Sequence, residues 1–338
     1  MQPNPLVGAV VLSAQGDVVG EGWHGEFGRE HAERAALDAA GERARGATLV
    51  VTLEPCNHQG KQPPCTDAVL AAGVRRVVAA VADPNPEASG GAARLADGGV
   101  EVRVGLEREI AEAQNAIFLH RFRDPDRPFV ALKLATSLDG RIADAAGQSR
   151  WISGEEARGY VHWLRAGFDA IAVGGRTARL DDPQLTARGA VEPRVAPRRV
   201  VFDTRGDLSP ELTLVRTAQD VGTIVVASPA APVLNLRRLA SSGVTVLRAE
   251  TLEEALGQLR REGIGSLLVE GGARLAGTLL AEGLVHRYYW VQSPLWLGSR
   301  GVPAVADLPS DPIARAERWA VVERRALGDD TLLVVDRR

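Results

Sequence analysis

Short apolar runs alternate with amphipathic, alanine- and charge-rich stretches along almost the whole sequence, and this alternation constrains the fold more than any single residue does. LVGAVVL (6–12) and DVVGEGW (17–23) flank a Ser13-Ala14-Gln15-Gly16 turn and predict a β-hairpin. REHAERAALDAAGERAR (29–45) predicts a helix closed by Gly46, and ATLVVTL (47–53) predicts a buried strand that runs into Glu54-Pro55-Cys56. TDAVLAAG (66–73) predicts a helix with a glycine stop, VRRVVAAVA (74–82) the next strand, and residues 107–121 one further helix. Strands and helices in this order build a sheet flanked by helices.

At 338 residues the chain exceeds one ordinary hydrophobic core, so two domains are expected. RDPDRP (123–128) interrupts the pattern with charge and proline and marks the boundary, giving domains 1–123 and 124–338. A second alternating series follows. FVALKLA (129–135), AIAVGG (170–175), RRVVFD (198–203), TIVVAS (223–228), VTVL (244–247) and GSLLVEGG (265–272) predict strands between helical or loop segments, including an Ala/Arg-rich loop at 187–199. VHRYYWVQSP (285–294) and TLLVVDR (331–337) are expected to add edge strands. In SRWISGEEARGYVHWLRA (149–166), Ser153 is the expected N-cap, with Glu155 and Glu156 in the first turn.

The 40 basic and 43 acidic residues nearly cancel, and no Lys/Arg stripe suits a polyanion. A small-molecule partner is expected, with neither nucleic acid nor membrane. The start has no secretory pattern and no apolar run is long enough to span a bilayer, so a soluble cytoplasmic protein is expected. A homo-oligomer, dimer or tetramer, is the expected assembly. In a reducing compartment the two cysteines, Cys56 and Cys65, favour a metal over a disulfide.

His31 and Glu33 fall in the first turn of a predicted helix, and residues two apart do not share a face, so one can bind a metal while the other serves something bound to it. Cys65 follows Pro64 at a helix start, where free N–H groups favour a thiolate, and Cys56 follows Pro55 at a strand end. One imidazole and two thiolates are the three-ligand, one-open-position set of a catalytic zinc. His58 is the candidate fourth ligand that would close the site into a structural one. Each residue alone has a bland reading, as helix cap or small core residue. Together, H-x-E followed by two Pro-Cys pairs matches the zinc-deaminase pattern, except that eight residues separate these cysteines. Zinc ligands His31, Cys56 and Cys65, one ion per chain, with Glu33 as proton shuttle, are the assignment.

PNPLVGAVV, HAER, TLEPCNHQGKQPPC and DPNP (83–86) together resemble the deaminase half of the RibD (RibG) family of bifunctional riboflavin-biosynthesis proteins, whose cysteines are spaced as they are here. The resemblance implies a cytidine-deaminase-like three-layer α/β/α domain. Its implied substrate is a diaminopyrimidinone carrying a ribosylamino 5-phosphate, hydrolysed at its 2-amino group. It implies Asn4, His24, Lys61, Asp83 and Asn85 in the substrate pocket, where amide and carboxylate groups suit a pyrimidine edge and Lys61 a phosphate. Family members also carry a helix ahead of Pro3-Asn4-Pro5; with the sequence starting almost at that motif, the helix is expected to be missing and apolar sheet surface to lie exposed.

In the second half, strands running into Gly-Gly and then a helix can cradle phosphate with backbone N–H groups, although the GxGxxG spacing is absent. LKLATSLDGRIA, VGGRTARLDDPQLTAR and LVEGGARLAGTLL, in this order, resemble the reductase half of the same family, which implies a dihydrofolate-reductase-like α/β domain that uses NADPH. Implied NADP contacts are Ala135, Trp151, Thr177, Asp181, Thr204 and the turn of Gly272, Ala273, Arg274, Leu275, Ala276, Gly277 and Thr278. Implied substrate contacts are Lys133, Ser149, Arg165, Leu185, Arg188 and Glu270, with Arg165 and Arg188 as phosphate clamps. The implied reaction delivers hydride to C1′ of the ring-opened ribosylamino group, giving ribityl. A nucleoside or tRNA deaminase with an accessory domain is the rival reading, and a non-catalytic zinc-stabilised module the third.

Overall fold

The structure, a computed structural model, describes residues 4–25, 28–60, 62–189, 191–309 and 311–338. The chain forms two compact units, Met1–Arg123 and Asp124–Arg338.

In the first unit β1 (Gly8–Leu12) and β2 (Val18–Trp23) form the hairpin, followed by α1 (Ala32–Ala40), β3 (Thr48–Leu53), α2 (Cys65–Ala72), β4 (Arg76–Val81), α3 (Gly91–Asp97), β5 (Glu101–Val104), α4 (Arg108–Gln114) and α5 (Ala116–Arg123). The sheet order is β2-β1-β3-β4-β5, with β1 antiparallel to its neighbours and β3, β4 and β5 parallel. Alternate residues Ala9, Val11, Leu49, Val51, Val77 and Ala79 bury against Ala32, Ala36 and Leu37 of α1, Val69 of α2 and Leu95 of α3. On the other face Ala80 packs with Ala111 of α4 and Leu119 of α5, joined at the strand ends by Leu53 and Val81, which completes three layers. That second face also carries a groove of about 510 Å³ lined by Val10, Val50, Val78, Leu106 and Ile110, beside Trp23, which is 72% exposed.

Two helices differ from expectation. The helix expected to reach Gly46 ends at Ala40, because Gly41 turns to φ 56 and a 3-10 turn follows. The helix expected over 107–121 is two, broken at Asn115. Asn115 Oδ1 accepts from Leu6 N (2.7 Å) and its Nδ2 donates to Leu6 O (3.0 Å), so the side chain pins the segment entering β1. Helix α1 lies directly on β2: a Cβ on Gly20 would come within 2.3 Å of Ala36 O, and one on Gly22 within 2.4 Å of Ala32 O. Only glycine permits this approach, which sets the depth of the helix start where His31 sits.

The second unit continues with β6 (Phe129–Thr136), β7 (Arg141–Ala143), α6 (Glu155–Arg165), β8 (Ala170–Gly174), α7 (Gly175–Asp181), β9 (Arg198–Phe202) and α8 (Thr213–Arg216). It then runs through β10 (Thr223–Ala227), α9 (Val233–Ser241), β11 (Thr245–Arg248), α10 (Leu252–Arg261), β12 (Ser266–Glu270), α11 (Ala273–Ala281), β13 (Arg287–Gln292), β14 (Val302–Pro303), β15 (Ala320–Leu327) and β16 (Asp330–Asp336). Nine strands form one sheet in the order β11-β10-β9-β8-β12-β6-β13-β16-β15, and β7 pairs separately with β14. The strands from β11 to β13 in this order are parallel, and β8, β10 and the middle of β12 are almost wholly apolar, as expected of a sheet covered on both faces.

The C-terminal strands lie elsewhere than expected. β13 is interior, parallel to β6 on one side and antiparallel to β16 on the other, and the outer strand is β15. β15 is AVVERRAL, too charged to read as a strand and largely exposed. The N-cap of α6 is Gly154 rather than Ser153, because Asp330 Oδ2 takes the Gly154 N–H at 2.7 Å and fixes the backbone there.

Candidate functional site

In the first unit three elements deliver His31, Cys56 and Cys65 to one point. His31 precedes α1 in an extended conformation (φ −80°, ψ 160°) and makes no capping bond with its side chain, which leaves the ring free to turn inward. Cys56 lies just past β3, and Cys65 is the first residue of α2. His31 Nδ1 is 3.2 Å from Cys65 Sγ and 3.5 Å from Cys56 Sγ, and the Cys65 amide donates to Cys56 Sγ at 3.4 Å. Their ligand atoms all lie within 4.8 Å of one another, and among the described residues this is the one such group of His, Cys, Asp or Glu side chains.

The protonation chemistry suits a dication. The hydrogen bond from Cys65, with help from His31, pulls the Cys56 thiol down to about 4. The same bond, with burial and the nearby Glu33 carboxylate, pushes the Cys65 thiol up. Two thiols this close share one negative charge between them, and a zinc ion would let both ionise. Glu33, 4% exposed, has its carboxyl pushed up to about 7, chiefly by burial and further by Cys56, while His31 opposes the shift. His58 stands outside the group, and its Nδ1 is buried without a partner.

Around this centre His24 is buried, its ring edge-on to His31 with centroids 5.4 Å apart. Its Nδ1 meets Glu30 O at 3.0 Å and its Nε2 meets Asn4 Nδ2 at 2.8 Å, so both ring nitrogens are engaged and the ring backs Asn4. The partners assign Nδ1 as donor and Nε2 as acceptor. Asp83 and Asn85 are half-buried and build a turn: Asp83 Oδ1 accepts from Asn85 N, and Asn85 Oδ1 accepts from Glu87 N. Burial raises the Asp83 pKa, partly countered by the Asn85 amide. Lys61 lies outside the described residues.

Sequence reasoning missed Glu54. It is buried, and its carboxyl accepts from Asp83 N (3.0 Å) and Ala92 N (2.8 Å), tying the loop after β4 and the start of α3 to the strand that leads to Cys56. Its partners lie 29 and 38 residues away, so only the acid before Pro-Cys was visible in the sequence. Glu54→Gln sets an amide NH₂ against a backbone N–H. We expect KM for the deaminase substrate to rise about tenfold with zinc content unchanged, as read by steady-state kinetics and metal analysis.

The second unit holds a cleft of about 1490 Å³ at the C-terminal ends of β6, β8, β9, β10 and β12, where parallel sheets place their ligand sites. Lys133, Ala135, Ser149, Trp151, Arg165, Thr177, Asp181, Leu185, Arg188, Thr204 and Glu270 all line it, as do Gly272, Ala273, Arg274, Leu275 and Thr278. Ala276 and Gly277 do not. Ala276 is buried in the core, and Gly277 is packed against the chain at Ala306, where a Cβ would stand 1.7 Å from Ala306 O, so neither lines the cleft.

β12 passes through Gly271 (φ 68) and Gly272 (φ 84) into α11, a conformation that favours glycine, and both glycines line the cleft. A Cβ on Gly272 would come within 3.2 Å of Thr177 Oγ1, so the lack of a side chain keeps that approach open. Glu270 and Lys133 sit side by side on paired strands. Arg165 grips Glu270 with both arms, Nε to Oε1 at 2.6 Å and Nη2 to Oε2 at 2.8 Å, and its Nη1 donates to Thr186 O. Burial opposes ionisation of Glu270, but the Arg165 guanidinium overrides it and holds the carboxylate below its usual range. Burial lowers the Lys133 pKa, partly countered by Glu270. Asp203, also missed, is buried beneath α7, accepts from Arg179 Nη1 at 3.1 Å, and requires Gly175, whose Cβ would stand 2.4 Å from its Oδ1.

Comparison with known proteins agrees with this division. A family described as the RibD C-terminal domain matches residues 128–333, and one described as the cytidine and deoxycytidylate deaminase zinc-binding region matches residues 1–81. The riboflavin biosynthesis protein RibD of Escherichia coli K12 is 40% identical over 350 aligned positions, covering 98% of this chain and 93% of that protein. That of Synechocystis is 39% identical over 336, covering 98% and 89%. The crystal structure of a diaminohydroxyphosphoribosylaminopyrimidine deaminase/5-amino-6-(5-phosphoribosylamino)uracil reductase from Thermotoga maritima superposes with a TM-score of 0.81 at 34% identity, covering 99% of this chain and 93% of that one.

Proposed function

This chain belongs to the RibD family of bifunctional riboflavin-biosynthesis enzymes, and on that premise we propose which of its residues carry each reaction. The family's two activities are a zinc-dependent deaminase and an NADPH-dependent reductase, and both domains are present. The proposed deaminase substrate is the 2,5-diamino-6-(5-phosphoribosylamino)pyrimidinone named for the Thermotoga relative, and the reductase substrate is the uracil that deamination yields.

His31, Cys56 and Cys65 hold the zinc, which when bound lowers the pKa of a water and so supplies the nucleophile. Glu33, poised near neutrality by burial, would accept a proton from the attacking water and return it to the departing ammonia. Asn4, backed by His24, and the turn of Asp83 and Asn85 face the pyrimidine edge, and Lys61 meets the phosphate. In the other unit NADPH when bound supplies the hydride. The amides of Gly272 and Ala273 and the side chains of Thr177 and Thr204 would hold its phosphates and ribose, and Ala135, Trp151 and Asp181 would line the rest of its path. Glu270, held by Arg165 and flanked by Lys133, orients the ring-opened sugar. Ser149, Leu185 and Arg188 complete that substrate's site.

The observation that carries this reading is the convergence of His31, Cys56 and Cys65 beside a buried Glu33. A nucleoside or tRNA deaminase with an accessory domain is not favoured, because the second unit matches the RibD reductase domain. The near balance of charge supports a small-molecule partner rather than nucleic acid. No helix among the described residues is long and apolar enough to cross a membrane, and a cytoplasmic location is part of the proposal. The outer strand β15, which exposes Val321 and Val322, supports a homo-oligomer. With the purified chain and the diaminopyrimidinone, ammonia should appear without NADPH, and NADPH should be oxidised only once ammonia has been released. Oxidation ahead of ammonia release would contradict the order.

A further inference from the structure

The residues that follow the two cysteines face each other. Asn57 comes after Cys56 and Thr66 after Cys65, and the Thr66 hydroxyl donates to Asn57 Oδ1 at 3.3 Å. Thr66 is fully buried, and its backbone N–H donates to Cys56 O at 3.3 Å. Arg94 of α3 donates to the same Asn57 oxygen through Nη1 at 3.0 Å and pairs through Nη2 with Asp67 of α2. A guanidinium has no acceptor, so the atom it meets must be the amide oxygen, and the orientation of Asn57 is thereby fixed. The Asn57 N–H donates to Ala88 O at 2.9 Å, and Ala88 packs with both cysteines. Helix α3 begins hard against this corner, where a Cβ on Gly91 would stand 1.9 Å from Pro55 O. Three segments, those after Cys56 and Cys65 and helix α3, therefore meet on one amide oxygen.

We propose that Asn57 is a positioning residue for zinc: by taking bonds from Thr66 and Arg94 it holds the Cys56 and Cys65 thiolates at the separation that one ion requires. This rests on the zinc reading above and extends it to residues to which that reading gives no part. The two ligands come from different elements, and the eight residues between them do not by themselves set their distance. A hydrogen bond between the residues that follow them closes this loop at its base, beside the Cys65 amide that donates to Cys56 Sγ at 3.4 Å. Bonds one step removed from the ligands keep the ligands in place before the metal arrives, and their loss costs about 10–100-fold in metal affinity. The Arg94–Asp67 pair is nearly half exposed and adds little by itself. Its guanidinium matters as the second donor to Asn57.

The test follows zinc release from the full chain to a chelating indicator, together with the visible spectrum of the cobalt-substituted protein, whose thiolate bands report how the two sulfurs are placed. Asn57→Leu should release zinc at least about tenfold faster and should shift or weaken those bands. Asn57→Asp, which keeps an oxygen within reach of both donors, should recover most of both losses. Thr66→Val should speed release by about threefold, with the same sense of change in the bands. Ammonia release should fall only as far as bound zinc does. A wild-type release rate in Asn57→Leu, or wild-type cobalt bands beside faster release, would overturn the proposal. So would a loss that Asn57→Asp does not recover, since general damage to the fold has no preference between the two variants. A wild-type chain that binds no zinc would instead overturn the zinc reading.

Discussion

Glu33→Gln is expected to cut ammonia release by about 10²–10⁴-fold, the usual worth of a positioned proton shuttle, and to leave zinc bound at one ion per chain. The substitution conserves shape at a site that is 4% exposed. It also replaces a carboxyl that burial has pushed up to about 7 with a neutral amide, so the fold gains rather than loses by the change. Glu33 is not among the clustered ligand atoms, and residues two apart on a helix point to different neighbours. What the variant lacks is a group that can take a proton near pH 7 and return it to the leaving amine. Parallel loss of zinc and ammonia release would make Glu33 a ligand or a structural prop. Retention of activity would remove it from the chemistry altogether.

Stripping zinc with a chelator should have an equally large effect on one reaction only. Ammonia release is expected to vanish, while NADPH oxidation with the deaminated substrate stays within about twofold, since the residues assigned to each reaction lie in separate compact units. Zinc affinity should also depend on pH with a definite sign. The protein's own groups leave Cys56 ionised and Cys65 protonated at neutral pH. Loading the ion therefore expels the Cys65 proton, and one more where His31, whose pKa is raised by its hydrogen bond to Cys56, is still protonated, so affinity should rise at least about tenfold per pH unit. Titration with a zinc indicator between pH 6 and 8 checks this. A flat profile would mean that Cys65 is not a ligand.

The zinc set was legible because its chemistry is local: two Pro-Cys pairs at element ends and a His two residues before a Glu. The α/β class of both halves was legible too, because buried parallel strands such as AIAVG and SLLVE have apolar centres. Features decided by distant partners were not. Asn115 breaks a helix to bond Leu6, Asp330 moves a helix cap onto Gly154, and Glu54 reaches Asp83 and Ala92. Nothing in a helical pattern says which residues of α11 are packed against their neighbours, as Ala276 is in the core and Gly277 is at Ala306.

The claim that everything in the first unit depends on is a zinc held by three protein ligands with one position open. X-ray absorption at the zinc edge of the purified chain tests it most directly. Two sulfurs at about 2.3 Å, one nitrogen and one oxygen at about 2.0–2.1 Å, with one zinc per chain, is the expected result. A second nitrogen in place of the oxygen would close the site with His58 and contradict a catalytic zinc.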